Sequence, residues 1–529
     1  MTRFLLALVF LLSAALNAQS VIPGFTLDIV QDPVTQARCL AFSPDGRLWY
    51  TEFASGQIRI ITTPTTTPTL LATPFATVSG FVTSPGTDMG LHGICFDPAF
   101  GTNRFVYVAH TSGTLGNPTL VIKRFTEDTV TPNTATAASE TVVFGPIQMT
   151  ASGQRHGARI GFGPDGKLYV SVGDGGGSVS ASGVRAQDNA QNLGKLLRLE
   201  SSGAVPTDNP TSGNPVFARG LRNPRGIAFN PADNVPFIVD SGNDSPLGLD
   251  ELNRVAAGAL NFGWDANGIS GDQAITGYTN PAFSLTGNTL PSGLAFYPTS
   301  ATNFPVDGFR TGVVYLGGES AAGRVFRVIL HGANSAAGIT AKQFASFTQP
   351  VFDLTFGPDG MMYIATTGTI YRARFTGNQS TNNPVANAGA DTAFNEGATV
   401  NLSAGLSSDA DVGTTLTFTW RQVGGSPTVT LANPTTVNTS FTAPQVTFNQ
   451  VLTFEVIVED GFGGVDSDFV LITINDTGGN GGGGDGSKRV GEEGGCIASE
   501  SATWPAILLL ALALLTMRHL ALKRRGLRA

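Results

Sequence analysis

The chain has 529 residues, too many for one hydrophobic core, and this length predicts two or three domains. Its 31 Lys and Arg against 39 Asp and Glu give a formal net charge of −8, which argues against a nucleic-acid surface built from clustered positive charge. Only 13% of the residues are charged, whereas Gly (66) and Pro (30) are frequent. This composition favours a loop-rich, all-β protein over a helical bundle.

The first 18 residues have the pattern of a secretory signal peptide. Arg3 precedes an apolar run over 4–12, and small residues follow up to Ala18. A buried N-terminal helix is the alternative. An exported protein meets oxidising conditions, yet the three cysteines at 39, 95 and 496 are too few for a disulfide framework. Cys39 and Cys95 either pair with each other or remain buried thiols.

A short pattern recurs six times within residues 24–376: an apolar stretch that ends in Phe, a turn, and a second β-rich stretch. Three copies share Pro-Asp-Gly, in which Pro presets the turn and Gly closes it. Six such hairpins, each more than about 50 residues apart, predict a six-bladed β-propeller, with an irregular all-β solenoid as the alternative. We expect residues 24–30 to pair with the strand near 369–375 and close the ring. The anchors are Phe42, Phe96, Phe162, Phe229, Phe296 and Phe356.

Polar residues gather on one face of such a ring. If each Phe-ending stretch is the innermost strand of a blade, the loops that enter these strands lie beside the ends of the strands that follow. Convergent polar groups at the mouth of a channel are the default binding site. The entering loops supply Asp88, His92, Arg155, His156, Arg159, Arg222, Asn223 and Arg225, and the strand ends supply Glu52, His110, Asp174 and Asp240.

Several longer motifs resemble one family. These are NLGKLLRL at 192–199, ARGLRNPRGIAFNP at 218–231, DELN at 250–253 and NFGW at 261–264. Over roughly residues 24–376 the chain resembles the soluble PQQ-dependent sugar dehydrogenases of the glucose/sorbosone dehydrogenase family. The resemblance implies pyrroloquinoline quinone (PQQ) and Ca²⁺ at one end of a six-bladed propeller. It also implies that a sugar or related alcohol passes hydride to the quinone while a histidine takes the hydroxyl proton.

The resemblance also implies roles for individual residues. His156 would be the base, although it stands one position later than the family's histidine and Arg155 takes the expected position. The remaining roles fall on Arg222 (catalytic and cofactor-binding), Asn223 and Asp88 (cofactor-binding), the carbonyls of Gly242 and Asn243 (Ca²⁺), and Asp250 or Glu251 with the carbonyl of Phe262 (a further Ca²⁺).

The cofactor's anionic anchors depart from the family pattern. PQQ carries three carboxylates, which bind best to fixed cations. The family's Lys falls at Ala321, its two Arg fall at Pro350 and Phe352, and its Gln becomes Asp88. Arg155, Arg159 and Arg225 are the candidates to replace them. Two functions therefore stay open: a PQQ- and Ca²⁺-dependent oxidoreductase, or a non-catalytic surface propeller that binds carbohydrate or protein.

The rest of the chain predicts a second domain and an anchor. Residues 383–476 alternate apolar and polar side chains and are similar to PKD-type immunoglobulin-like β-sandwiches. A Gly-rich linker (477–502), an apolar helix (503–522) and a basic tail (523–529) follow. This ending predicts either a transmembrane helix or a tail that resembles Gram-negative sorting tails, cut near Cys496. We therefore expect an exported protein of the bacterial envelope, with a sugar or glycan as its partner.

Overall fold

The structure is a computed structural model. It describes residues 19–477 except 23, 137, 243–248, 266, 269–275, 286–289, 299–302, 305–312, 321, 331–337, 377–383, 412–413 and 462–464. The predicted signal peptide (1–18), and residues 478–529 with the predicted linker, apolar helix and basic tail, lie outside the described residues. Within the described part of the chain, no helix is long and apolar enough to cross a membrane.

Six antiparallel sheets follow one another along the chain. Each sheet starts with its innermost strand and continues with the strands that follow it in the chain. The innermost strands begin at Ala37, Leu91, Gly157, Pro224, Pro291 and Val351. Within the described ranges, two short helices lie at Phe100–Asn103 and Val179–Gln187. The strands are β1 (Ser20–Val21), β2 (Phe25–Gln31), β3 (Ala37–Phe42), β4 (Leu48–Glu52), β5 (Gln57–Thr62), β6 (Thr69–Leu70), β7 (Ala76–Thr77), β8 (Leu91–Phe96), β9 (Phe105–Thr114), β10 (Asn117–Thr126), β11 (Thr141–Gln148), β12 (Gly157–Phe162), β13 (Leu168–Val172), β14 (Lys195–Leu199), β15 (Val216–Arg219), β16 (Pro224–Phe229), β17 (Pro236–Asp240), β18 (Asp250–Arg254), β19 (Phe283–Leu285), β20 (Pro291–Phe296), β21 (Val313–Gly318), β22 (Arg324–Leu330), β23 (Gly338–Ser346), β24 (Val351–Phe356), β25 (Met362–Thr366) and β26 (Ile370–Phe375).

The six sheets form a closed ring. Each innermost strand contacts the innermost strand of the next sheet, and β24 of the sixth sheet contacts β3 of the first. The N-terminal strand β2 completes the sixth blade by pairing with β26, with Phe25 opposite Phe375. A second N-terminal strand, β1, adds to the fifth blade through β23. The prediction of a propeller closed by residues 24–30 and the strand near 369–375 is confirmed.

The recurring Phe has the same role in all six blades. Each Phe anchor is the last residue of its innermost strand, and its ring meets an aromatic ring on the second strand of the preceding blade. Edge-to-face contacts of this kind are worth about 0.5–1.5 kcal/mol beyond the area they bury. The pairs, with centroid separations, are Phe42–Tyr363 (4.9 Å), Phe96–Trp49 (5.3 Å), Phe162–Tyr107 (5.1 Å), Phe229–Tyr169 (5.3 Å), Phe296–Phe237 (5.2 Å) and Phe356–Tyr315 (5.6 Å).

The axis of the ring is filled by Arg159 from the third blade. Its Nη1 donates to Asp353 Oδ2 of the sixth blade at 2.8 Å, and both residues are buried. The same guanidinium donates to backbone carbonyls in four blades: those of Arg38 (2.9 Å), Arg225 (2.8 Å), Ser292 (3.4 Å) and Phe352 (2.7 Å). One side chain therefore connects five of the six blades.

The two propeller cysteines are separate thiols. Cys39 packs in the core between the first two blades, with its Sγ 3.9 Å from the carbonyl oxygen of Ile94. Cys95 packs against the core between the second and third blades instead. Neither forms a disulfide, and burial raises the pKa of the Cys39 thiol to about 12. Of the two alternatives left open by the sequence, the structure contains the unpaired thiols.

The second domain is a two-layer β structure. One layer has the strand order β27-β32-β31-β29 and the other pairs β28 with β30. Trp420, from the stretch that suggested a PKD-type domain, is buried between the layers with Phe441 and Phe454. Its strands are β27 (Thr392–Asn395), β28 (Thr399–Ser403), β29 (Thr417–Gly424), β30 (Asn438–Thr442), β31 (Gln450–Glu459) and β32 (Val465–Asn475).

We predict that Asp353→Asn strongly destabilises the propeller. The substitution removes the carboxylate that pairs with buried Arg159, and breaking such a pair typically costs about 3–5 kcal/mol. Asp28→Asn is the matched control, because Asp28 pairs with Arg372 and Arg374 near the surface, where ion pairs contribute about 0–1 kcal/mol. Urea unfolding measures both. Equal, small losses would contradict the role given to the axial pair.

Candidate functional site

The structure brings most of the predicted site residues to one end of the ring. His156 immediately precedes β12, and Arg222 and Asn223 immediately precede β16, so these loops enter neighbouring blades from the same end. Gly242 follows β17 and returns to this end, where its carbonyl accepts a hydrogen bond from Arg222. Asn243 lies outside the described residues.

His156 is buried, and one of its ring nitrogens has no hydrogen-bond partner among the described residues. Its Nδ1 lies 3.1 Å from Thr111 Oγ1, whereas its Nε2 has no hydrogen-bond partner among the described residues. Thr111 Oγ1 accepts from the Gly90 N–H at 3.2 Å and lies 3.4 Å from His92 Nε2. If the hydroxyl donates its single proton to His92, Nδ1 of His156 carries a proton and donates it. We assign this tautomer, which leaves a lone pair on His156 Nε2.

His156 is neutral at ordinary pH. Burial lowers the pKa of His156 to about 4, with Asp88 raising it and Arg225 lowering it further. The ring of His92 lies 6.0 Å away, and burial together with His156 lowers the pKa of His92 as well. A neutral imidazole with an open nitrogen can accept a proton, as the role of base requires.

His110 does not join this pair of histidines. Its Nδ1 lies 3.0 Å from the Thr111 carbonyl, and burial lowers its pKa to about 4. The charged residues that act on it are Lys123 and Glu140, which pair with each other in the second blade. Of the three histidines predicted to share the mouth, the structure joins His92 and His156 through Thr111, whereas the charges that act on His110 are those of Lys123 and Glu140.

Arg155, at the position expected for the family's histidine, is held in place on both sides. Its N–H donates to Asp88 Oδ2 at 2.9 Å, and its Nε lies 3.0 Å from Asp174 Oδ1. Asp174, fully buried, also accepts from Trp264 Nε1 at 2.9 Å. The Trp264 ring in turn lies 5.4 Å from the guanidinium of Arg222, within cation–π range. This chain of contacts links the surroundings of His156 to Arg222.

Four charged side chains form a network beside His156, which we call the charge quartet: Arg38, Asp88, Arg225 and Glu319. Arg225 Nη2 donates to both oxygens of Asp88 at 2.5 Å, and its Nη1 donates to Glu319. Arg38 lies 3.0 Å from Glu319 and 3.6 Å from Asp88. The quartet carries two positive and two negative charges.

A cleft of about 610 Å³ opens at the quartet. The Arg38 guanidinium lies between two aromatic rings in this cleft, 5.0 Å from the centroid of Phe53 and 4.9 Å from that of Phe352. Gln36, Asp88 and Glu319 also line it. The cleft therefore offers planar polar groups and aromatic faces to a ligand.

Sequence reasoning missed Arg38 and Glu319. A positional signal exists for Arg38, because residues four positions before the Phe anchors enter the mouth at the start of each innermost strand. Five of these six residues line the cleft or the small pocket beside it, namely Arg38, His92, Arg225, Ser292 and Phe352. Glu319 directly follows β21, the second strand of the fifth blade, so the strand-end position that indicated Glu52, Asp174 and Asp240 applies to it as well.

The side chains predicted to hold a further Ca²⁺ have internal partners. Asp250 accepts from the N–H groups of Gly242 (2.9 Å) and Leu290 (3.0 Å), and Glu251 accepts from Asn253 Nδ2 (3.0 Å). The Phe262 N–H donates to the Arg219 carbonyl at 2.9 Å. Across the described parts of the chain, no group of three or more His, Cys, Asp and Glu residues is arranged to hold a metal ion.

Comparisons with known proteins identify relatives of both domains. The sequence profile of the Glucose / Sorbosone dehydrogenase family matches residues 34–389, and that of a PKD domain matches residues 388–474. An uncharacterized protein of Synechocystis is 31% identical over 351 residues, which are 62% of this chain and 80% of the relative. Quinoprotein glucose dehydrogenase B of Acinetobacter calcoaceticus is 28% identical over 333 residues, with 56% of this chain and 66% of that enzyme covered.

A solved structure shares the propeller fold. The PQQ-bound form of an aldose sugar dehydrogenase from Streptomyces coelicolor aligns with 67% of this chain and 99% of its own, at 23% identity and a TM-score of 0.54. This alignment supports the six-bladed architecture described above.

We predict that acid destabilises the fold through His156. The pKa of His156 is about 4 in the folded chain and about 6.5 when unfolded, so between these values the unfolded chain alone binds the proton. The contribution of neutral His156 to the free energy of unfolding is therefore complete above about pH 6.5. It is lost as the pH falls toward 4, by roughly 1.4 kcal/mol for each unit by which the pKa is lowered.

Urea unfolding of wild type and His156→Gln at pH 7 and pH 4.5 tests this. The variant should lose less stability than the wild type on acidification, since it lacks the buried imidazole of His156 and also the interaction with His156 that lowers the pKa of His92. The same pH dependence in both would show that His156 is not held neutral by burial.

Proposed function

The chain belongs to the glucose/sorbosone dehydrogenase family, and on that premise we propose that it oxidises a sugar (aldose) or related alcohol by removing hydride from the carbinol carbon. The observation that carries this proposal is a buried, neutral His156 whose Nε2 has no hydrogen-bond partner among the described residues, at the same end of the propeller as Arg222. A neutral imidazole can act as a general base, and a fixed cation at the same end of the ring can stabilise developing negative charge.

The roles of the chain's own residues follow from these contacts. Oxidation of a carbinol removes a hydroxyl proton and a hydride, and we assign the proton to Nε2 of His156. Arg222 is fixed by the carbonyls of Ser241 and Gly242 and by the ring of Trp264. A guanidinium held in this way stabilises negative charge that develops on the substrate oxygen as the proton leaves.

The described residues do not fit a tightly anchored PQQ. Its three carboxylates need cations, yet Phe352 stands at one family anchor and packs against Arg38. The candidate substitutes Arg155, Arg159 and Arg225 are paired with Asp174, Asp353 and Asp88, respectively. We therefore propose PQQ as a weakly held cofactor, which would supply the acceptor for the hydride when bound. Ca²⁺ at the Gly242 and Asn243 carbonyls is part of the same proposal.

We further propose that the protein is exported and works at the bacterial envelope. The apolar first 18 residues support export, and the apolar stretch before the basic C-terminal tail supports attachment to a membrane, either directly or through a processed surface anchor. The substrate would then be a sugar or glycan outside the cytoplasm, and a separate electron acceptor would receive the electrons.

One observation favours a second function, a non-catalytic propeller that binds carbohydrate or protein. The charge quartet neutralises its own arginines and leaves the cleft suited to an uncharged ligand. A protein of this kind would bind sugars in the cleft and would not oxidise them.

We predict that His156→Gln lowers sugar oxidation by about 10²–10⁴-fold, the usual contribution of a general base. The assay combines purified protein, PQQ, Ca²⁺ and an artificial electron acceptor over a panel of aldoses and polyols. His110→Gln is the matched control, because His110 is also buried and has a similarly lowered pKa, but the charges that act on it are those of Lys123 and Glu140.

Retained activity in His156→Gln would disprove the base assignment. Binding of a sugar by the wild type without oxidation of any compound in the panel would instead establish the non-catalytic function.

A further inference from the structure

The carboxylates of Asp88 and Glu319 occupy the hydrogen-bonding positions that an anionic ligand would use. A guanidinium presents a planar fork that binds a carboxylate through two parallel N–H groups. In the quartet, Arg225 gives one nitrogen to both oxygens of Asp88 and the other to Glu319, and Arg38 lies against the same two acids. The side chains of all four residues are only 11–13% exposed.

Asp88 is firmly held in this position. Besides Arg225, it accepts the N–H of Arg155 at 2.9 Å, and its own N–H donates to the Gly153 carbonyl at 2.7 Å. Burial by itself would raise the pKa of Asp88, but Arg225 and Arg38 outweigh burial and hold this pKa well below its ordinary value. Asp88 is therefore an anion at neutral pH.

The neutralised charge quartet lies at the cleft, where a bound ligand would contact it. Asp88, Glu319 and Arg38 all line it, with Phe53 and Phe352 on either side of the guanidinium. An incoming carboxylate would meet two fixed carboxylates and would have to displace them from the arginines. An uncharged polyhydroxyl ligand meets acceptors in the acids, donors in the arginines and apolar ring faces, and displaces nothing.

We propose that Asp88 and Glu319 set the charge of the ligand that the cleft accepts: they fill the forks of Arg38 and Arg225, so that the cleft rejects carboxylate-bearing ligands and takes uncharged polyhydroxyl ones. The identity of the ligand as a sugar rests on the proposed function. The rejection of carboxylates does not, because it concerns binding alone.

The test is isothermal titration calorimetry of wild type and the double variant Asp88→Asn with Glu319→Gln. The probes are D-glucose, D-glucuronate, which differs from it by a carboxylate, and PQQ with Ca²⁺. The double variant should bind PQQ at least about 100-fold more tightly than the wild type, since each additional charge-assisted hydrogen bond to the cofactor is worth roughly tenfold. The affinity for glucuronate relative to that for glucose should also be higher in the double variant than in the wild type.

Two controls separate local charge from total charge. Asp28→Asn neutralises an acid that also pairs with two arginines, in the sixth blade, and should change no affinity. Arg38→Met with Glu319→Gln removes one charge of each sign from the quartet and should not improve carboxylate binding. If the first double variant fails to fold, by circular dichroism and thermal unfolding, Glu319→Gln alone should show roughly a tenfold rise in PQQ affinity.

Tight PQQ binding by the wild type would overturn the proposal. So would a folded double variant that binds carboxylates no better than the wild type. A double variant that binds carboxylates more tightly, in a protein that oxidises no sugar, would uphold this inference while the proposed oxidoreductase function fails.

Discussion

The edge-to-face contact between each Phe anchor and the aromatic ring of the preceding blade is the interaction on which the propeller depends. Each contact joins two rings that are far apart in the sequence and lie in neighbouring blades. Because the contact repeats six times, it sets the distance and tilt between every pair of neighbouring blades. It also fixes what lies toward the axis. Residues three positions before an anchor pack strand against strand, and residues four positions before it enter the mouth.

The position three before the anchor shows how crowded the axis is. Three blades have Gly93, Gly226 and Gly293 there, and a Cβ at Gly93 or Gly293 would lie 2.8 Å from backbone atoms of the next blade. Two other blades have Arg159 and Asp353 at the same position, and these two side chains pair across the ring. The glycines let neighbouring strands approach closely, and the ion pair fills the space that remains.

The architecture could be predicted from the sequence because its signals are periodic. The Phe-ending stretches, the turns and the strand that closes the ring all repeat or adjoin a repeat, and the structure confirms them. The charge quartet could not be predicted in the same way. Arg38 and Glu319 are 281 positions apart, and their contact results from ring closure rather than from any local pattern. The sequence alone indicates a lost cofactor contact at Asp88, whereas in the structure Asp88 forms an ion pair with Arg225.

The same distinction explains the histidines. Their position on loops and strand ends indicated which end of the ring they occupy, and His92 and His156 do lie 6.0 Å apart. The contacts of each ring depend on the tertiary structure, however: Thr111 Oγ1 lies near both His92 and His156, whereas the charged residues that act on His110 are Lys123 and Glu140.

The position of Arg159 determines whether a small molecule can pass along the axis of the ring. Because its guanidinium is bonded to carbonyls of four blades and to Asp353, the centre of the ring is solid rather than a pore. A molecule at the end of the ring that carries His156 and Arg222 would therefore not reach the opposite end along the axis, because the Arg159 guanidinium lies in its way.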